Sequence, residues 1–152
     1  MMAMSDTWYY AGALLVRRRR GELKALIMKT VKRYGSEAGL ELYQLPGGME
    51  ELCDNGNPIK TLDRELGQET GFRLRENHKG DPPKVAKVTI EDHVRYFYLL
   101  WRTECLGTLR TTVIEDRAKT LHVPTWEDLE FFEKNLCKSQ RTVLHTFRKL
   151  HV

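Results

Sequence analysis

Residues 63–72 read DRELGQETGF, and Glu65, Gln68 and Glu69 all carry side chains that end in oxygen donors. On a helix, positions i, i+3 and i+4 are surface neighbours with Cβ atoms about 5–6 Å apart, so the three would gather in one place. Two carboxylates and a carboxamide oxygen are the donor types that a hard divalent cation accepts. A cation would also offset the repulsion between Glu65 and Glu69, which as like charges at i, i+4 cost a helix about 0.2–0.5 kcal/mol. Taken alone, the same residues also suit a solvated helix face, with Arg64 and Arg73 softening the repulsion. Both readings stand at this point.

Other reactive residue types carry less. Cys53, Cys105 and Cys137 are odd in number and widely spaced, without a CxxC pair, and the five histidines are scattered. Neither a disulfide framework nor a zinc set is expected; free thiols in a reducing compartment are. Arg17–Arg20 could grip polyphosphate or RNA, but successive side chains on a strand point to opposite faces, so only about half can act together. A solvated turn is the preferred reading. Trp8, Tyr9, Tyr10 and Tyr34 read as strand core rather than as base-stacking residues, and His93 and His122 receive no role.

The elements that must position the helix follow from periodicity. WYYAGALLV (8–16) and ELKALIMKT (22–30) are apolar, strand-length runs separated by RRRRG, the pattern of an antiparallel hairpin with a basic turn. LELYQL (40–45) alternates and stops at Pro46-Gly47-Gly48, a turn signal. Asn57 before Pro58 is a helix start and Gly71 a stop, so residues 58–70 should be helical, with Ile59, Leu62 and Leu66 facing a sheet. KVAKVTIE and HVRYFYLLWRT return to strand character, the second apolar on both faces and so central. TWEDLEFFEKNL opens with an expected capping box, Thr125 with Asp128, and SQRTVLHTFRKL is a last helix. Strands, helix, strands and helices in that order imply a mixed sheet with helices packed on it, an α/β (α+β) fold.

The bulk numbers agree with one domain spanning 1–152. A chain of 152 residues can bury a core without disulfides, and 30% charged against 41% hydrophobic residues is a globular balance. The net charge of +4 lets the surface attract polyanions without choosing among them. The longest apolar run near the start, WYYAGALLV, is far short of the roughly 20 residues that cross a bilayer, and its arginines follow it. A soluble, cytoplasmic protein without a membrane partner is expected.

PGGMEE followed by a helix cap and RELGQETGF resembles the signature of the Nudix (MutT-like) hydrolases. That pattern is G, five residues, E, seven residues, R-E-aliphatic, one residue, E-E, one residue, G-aliphatic. Gly48 matches its first glycine and Glu51 an acidic residue common just after it. Gly56-Asn57 is aligned with its Gly-Glu, and Arg64, Glu65, Leu66, Glu69, Gly71 and Phe72 fall in their slots. Two residue types depart, Asn57 and Gln68 each standing where the family has glutamate, which makes the box degenerate. Glu65 also lies 17 positions after Gly48 where the pattern has 15. YQLPGG and HVPTWEDL resemble the family's flanking segments.

The resemblance implies an alpha-beta-alpha sandwich and Mg²⁺- or Mn²⁺-dependent hydrolysis of a phosphoanhydride in a nucleoside diphosphate linked to another moiety. It implies Glu65 as metal ligand or base for the attacking water, Glu69 and Gln68 as further metal donors, and Arg64 as the residue that holds the neighbouring carboxylate. Gly47 and Gly48 would form the substrate loop, and Glu51, Glu115 or Asp116 could add an acid, as could Glu50. A small-molecule nucleotide is the implied partner; nucleic acid and a homodimer stay open. Gln68 and Asn57 also keep open a catalytically impaired module that binds a nucleotide or a protein.

Overall fold

The computed structural model describes residues 8–75, 85–90, 93–115 and 118–151. Strands β1 (Tyr9–Arg19) and β2 (Glu22–Lys32) form the expected antiparallel hairpin, in the register Val16 opposite Ala25 and Arg19 opposite Glu22. Arg20 and Gly21 turn the corner with φ of 53° and 80°, the left-handed pair that a two-residue hairpin turn needs. Strand β3 (Glu41–Gln44) pairs with β2. The chain then bends at Pro46, and β4 (Gly47–Met49) runs back along β1. The PGG segment is therefore a corner whose glycines also enter the sheet.

After β4 come helix α1 (Pro58–Thr70), β5 (Phe72–Leu74), β6 (Val85–Ile90) and β7 (His93–Trp101). Short strands β8 (Cys105–Gly107), β9 (Ile114–Glu115), β10 (Lys119–Leu121) and β11 (Thr125–Asp128) follow, and helices α2 (Leu129–Asn135) and α3 (Lys138–His151) end the described chain. The main sheet runs β6-β7-β1-β2-β10-β9, with β4 on β1 and both β3 and β11 on β2; β5 and β8 form a separate pair. Because β7 lies parallel to β1, with Leu14 opposite Leu99, the sheet is mixed.

Alternation along β1 decides the layers. Ala11, Ala13 and Leu15 point to one face and pack with Ile59, Leu62 and Leu66 of α1. Leu14 and Val16 point to the other, against Phe132 and Leu136 of the α2 segment and Val143, Leu144 and Phe147 of α3. β7 serves both clusters, Tyr98 and Leu100 on the α1 side and Phe97 on the other, which is why both of its faces are apolar. Full burial of each such side chain is worth about 1.5–3 kcal/mol. The result is a sandwich of helix, sheet and helices, the mixed sheet with packed helices that the sequence pattern implied and the layering that the resemblance implied. Among the described residues, no helix is long and apolar enough to cross a membrane.

One expected element changes type. Residues 125–128 are a strand, not the first turn of a helix, since Trp126 pairs with Leu26 and Thr125 with Ile27. The helix begins only after Asp128, whose side chain accepts from the Phe131 N–H at 3.0 Å. The unpaired edge of β2 captures the β-forming Thr-Trp pair, and the capping role passes from Thr125 to Asp128.

Candidate functional site

Helix α1 is held at both ends by local chemistry. The Asn57 side chain accepts from the Ile59 N–H at 3.0 Å, Pro58 takes the first helical position, and Gly71 ends the helix at φ 88°. A Cβ at Gly71 would sit 2.3 Å from the Thr108 carbonyl oxygen, so the position also needs glycine for space. Arg110 fastens this end to the following loops. Its backbone N–H reaches the Thr70 carbonyl at 2.7 Å, and its guanidinium donates to the carbonyls of Glu69 at 2.7 Å and His122 at 2.9 Å. The helix is thus anchored before any of its acids does chemistry.

The buried stripe of α1 leaves Arg64, Glu65, Gln68 and Glu69 toward β4 and solvent. Arg64 is the hub: it donates to Glu65 at 2.7 Å, to the Met49 carbonyl at 3.1 Å, and through Nε and Nη2 to both oxygens of Asp54 at 3.2 and 2.9 Å. Asp54, only 2% exposed, also accepts from Thr61 Oγ1 at 2.7 Å and from the Glu51 N–H at 2.9 Å. These donors, Arg64 first, hold its carboxyl well below the usual range. Tyr9 continues the chain with a 2.9 Å hydrogen bond to Thr61, tying the cluster to β1.

Both glutamates are fixed against the two glycines of β4. Glu69 accepts the Gly47 N–H at 2.7 Å. A Cβ placed on Gly48 would fall 2.3–2.6 Å from the carboxylate atoms of Glu65, so the missing side chain is the space that Glu65 occupies. Burial pushes the Glu69 carboxyl up to about 8, with the Glu65 charge adding, while the Gly47 N–H, Lys119 and Arg110 oppose the shift. Burial rather than missing charge partners dominates at Glu69, while Glu65 is paired with Arg64 at 2.7 Å.

Gln68 is exposed one helical step away. Glu51 lies at the edge of the cluster, its carboxylate 3.5 Å from Arg64 and largely exposed. Glu115 stands on strand β9, exposed and opposite Thr120, and Asp116 falls outside the described residues. Among the described residues, no group of three or more His, Cys, Asp and Glu side chains is placed to hold a metal ion. The oxygen donors that the sequence pairs on α1 are two carboxylates and one amide oxygen, the last on an exposed side chain. That set fits Mg²⁺, which keeps several waters and takes one or two protein carboxylates beside substrate oxygens.

No protein-family model matches the sequence, and no curated protein matches it. Among solved structures, the chain is similar over 90% of its length to 95% of a MutT NUDIX hydrolase from Burkholderia pseudomallei, with a TM-score of 0.57 and 23% identity. The chain has the Nudix fold. A Caenorhabditis elegans Ap4A hydrolase is similar over 95% of this chain and 98% of its own, with a TM-score of 0.58 and 15% identity. The Escherichia coli ORF135 protein is similar over 99% and 96%, with a TM-score of 0.60 and 15% identity.

Within the Nudix fold the alignment of the signature shifts. Asn57 is a helix cap and does not stand in for the glutamate before the helix. The acid bound to Arg64 is Asp54, which follows Gly48 after five residues, the Nudix spacing for that glutamate. The two additional residues lie between Asp54 and Arg64. Counting forward from Gly48 rather than back from Arg64 would have found Asp54 from sequence. Nothing local in the sequence pointed to Arg110, whose role depends on a loop meeting the end of α1.

Proposed function

We propose that the chain is a metal-dependent hydrolase that splits a phosphoanhydride in a nucleoside diphosphate linked to another moiety. The observation that carries this reading is the pairing of Glu65 and Glu69 on successive turns of α1, one lodged beside Gly48 and the other held by the Gly47 N–H. Two structures of this fold are of proteins named hydrolases, which supports the reaction class. Glu65, Glu69 and the amide oxygen of Gln68 would hold Mg²⁺ or Mn²⁺. When bound, the cation neutralises phosphate oxygens and lowers the pKa of a coordinated water. Glu65 orients and deprotonates the attacking water, with Arg64 fixing its carboxylate from one side. Asp54 in turn fixes Arg64. Gly47 and Gly48 form the floor on which the phosphate chain lies. The free thiols of Cys53 and Cys105 suit a reducing, cytoplasmic setting.

The test is a substrate panel of nucleotide sugars, dinucleoside polyphosphates, nucleoside triphosphates and capped RNA with Mg²⁺ or Mn²⁺. Turnover should require the metal and fall at least about 100-fold in Glu65→Gln, the scale of a lost general base. Unchanged turnover in both Glu65→Gln and Glu69→Gln would reject these roles.

Gln68 favours a second reading, a Nudix-fold module that binds a nucleotide or a protein without turnover, because it removes one negative charge from the donor set. Thermal shift separates the two. Nucleotide stabilisation that is indifferent to metal, with no turnover gained in Gln68→Glu, supports the module; gained turnover supports a weakened enzyme.

A further inference from the structure

The four arginines of the first hairpin do not act as one charge run. Leu15 faces α1, and the odd-numbered Arg17 and Arg19 continue that face along β1 beyond the helix. In the ladder Lys24 stands opposite Arg17 and Glu22 opposite Arg19. These four side chains therefore share a face, and with Arg20 they line a cavity of about 460 Å³. Arg18 points the other way and lines a different cavity with Trp101 and Phe147.

Arg17 is built in rather than loosely solvated. Its guanidinium lies 4.5 Å from the centroid of the Trp126 ring, and its Nε is buried with no hydrogen-bond partner among the described residues. Trp126 itself is held by the ladder between β11 and β2 and packs near Phe72. A planar donor group is thus pinned by an aromatic face beside two further cations, with Glu22 as the carboxylate within the cavity wall. Burial, and then the neighbouring Arg19, push the Arg17 pKa down, and the acids on this face are Glu22 in the cavity wall and Asp128 opposite Lys24 in the ladder.

The geometry points to an anion site, distinct from the Glu65–Glu69 pair, in which Arg17, Arg19 and Lys24 take linked phosphate groups. Forked guanidinium donors match phosphate oxygens, and residues two apart on a strand are about 6.6 Å apart, close enough for the long side chains of Arg17 and Arg19 to reach one phosphate chain. The face of Trp126 is covered by Arg17, so the site reads phosphates and not bases. It is set apart from the acids: Gly12 and Ala11, opposite Gly47 and Gly48, are five and six residues from Arg17, about 17–20 Å along the strand. The shared chemistry is a chain of phosphates, supplied either by a free polyphosphate or by a nucleic-acid backbone.

Inorganic tripolyphosphate titrated calorimetrically into the protein at low salt with EDTA tests the site with any metal-dependent site left unfilled. Arg19→Ser and Arg17→Met should each weaken binding about tenfold or more, the scale of one charge-assisted hydrogen bond. Arg18→Ser removes the same charge from the opposite face and should leave binding unchanged. Equal loss in Arg18→Ser and Arg19→Ser, or no binding by the wild type, overturns the proposal. Circular dichroism checks each fold, and Arg19→Ser, on an exposed side chain, decides the matter should Arg17→Met unfold. A decamer of oligouridylate then separates the sources: displacement of tripolyphosphate assigns the site to a phosphodiester backbone, and failure to displace assigns it to free polyphosphate.

Discussion

Asp54→Asn removes one charge from the most connected polar cluster of the protein while preserving shape. Asp54 is 2% exposed and accepts five hydrogen bonds, two of them from the Arg64 guanidinium, whose side chain is 17% exposed, and one a long contact from the Cys53 thiol. Breaking a buried ion pair from one side costs about 3–5 kcal/mol, because the other charge is left uncompensated. Arg64 retains Glu65 and the Met49 carbonyl, which places the expected loss lower, at about 2–3 kcal/mol. With a urea slope of about 1–3 kcal/mol per molar, the unfolding midpoint should fall by about 0.7–3 M. In an Arg64→Met background the same substitution should cost far less, leaving a coupling of about 1.5 kcal/mol or more.

The pH dependence gives an independent sign. The folded pKa of Asp54 is depressed below its ordinary value of 3.8, chiefly by the Arg64 guanidinium. Its stabilisation is therefore fully present above that unfolded value and is lost as pH falls toward the folded one. The gap between wild type and Asp54→Asn should be widest above about pH 5 and narrow below pH 4. A loss under about 0.5 kcal/mol, the range of ordinary surface changes, an additive double-mutant cycle, or a gap that widens on acidification would refute the reasoning.

Three further outcomes follow from the same geometry. Gly48→Ala puts a methyl where the Glu65 carboxylate lies; because the flexible end of a side chain can move aside, stability should change by about 1 kcal/mol or less. Turnover on the substrate found by the panel should nevertheless fall about tenfold or more, and full turnover would show that Glu65 does not need its place. Gly71→Ala forces a side chain onto φ 88° and into the Thr108 carbonyl, so thermal unfolding should report a loss of about 2 kcal/mol or more; a neutral result would contradict the close approach. Asp128→Ala should cost about 1 kcal/mol as a lost helix cap, whereas Thr125→Ala should cost less than that because its backbone and not its side chain is engaged. The reverse order in urea unfolding would restore the helix start to Thr125.

Much of the scaffold was legible because its causes are local. The bounds of α1 follow from Asn57, Pro58 and Gly71, each acting within a few residues, and its buried stripe from the spacing of Ile59, Leu62 and Leu66. The β1–β2 hairpin follows from two apolar runs and a turn that accepts positive φ. Residues 125–128 were misread because helix caps and edge strands share residue types, and the choice is made by the distant backbone of β2. Asp54 was overlooked because the two additional residues could be counted on either side of it. Only the fold-back of the loop onto Arg64 decides that.

The sequence by itself determined that Glu65, Gln68 and Glu69 share a helix face, since 3.6 residues per turn leave no other arrangement. It left arginines 17–20 as a solvated turn, whereas β1 extends through Arg19 and divides Arg17 and Arg19 from Arg18 between its two faces. Tertiary structure alone decided which partners those faces meet. Gly47 and Gly48 reach the glutamates because β4 folds back along β1, and Arg17 meets Trp126 because β11 joins β2. Such contacts join residues far apart in the chain, and their energies come from burial and charge after folding, which no local periodicity encodes.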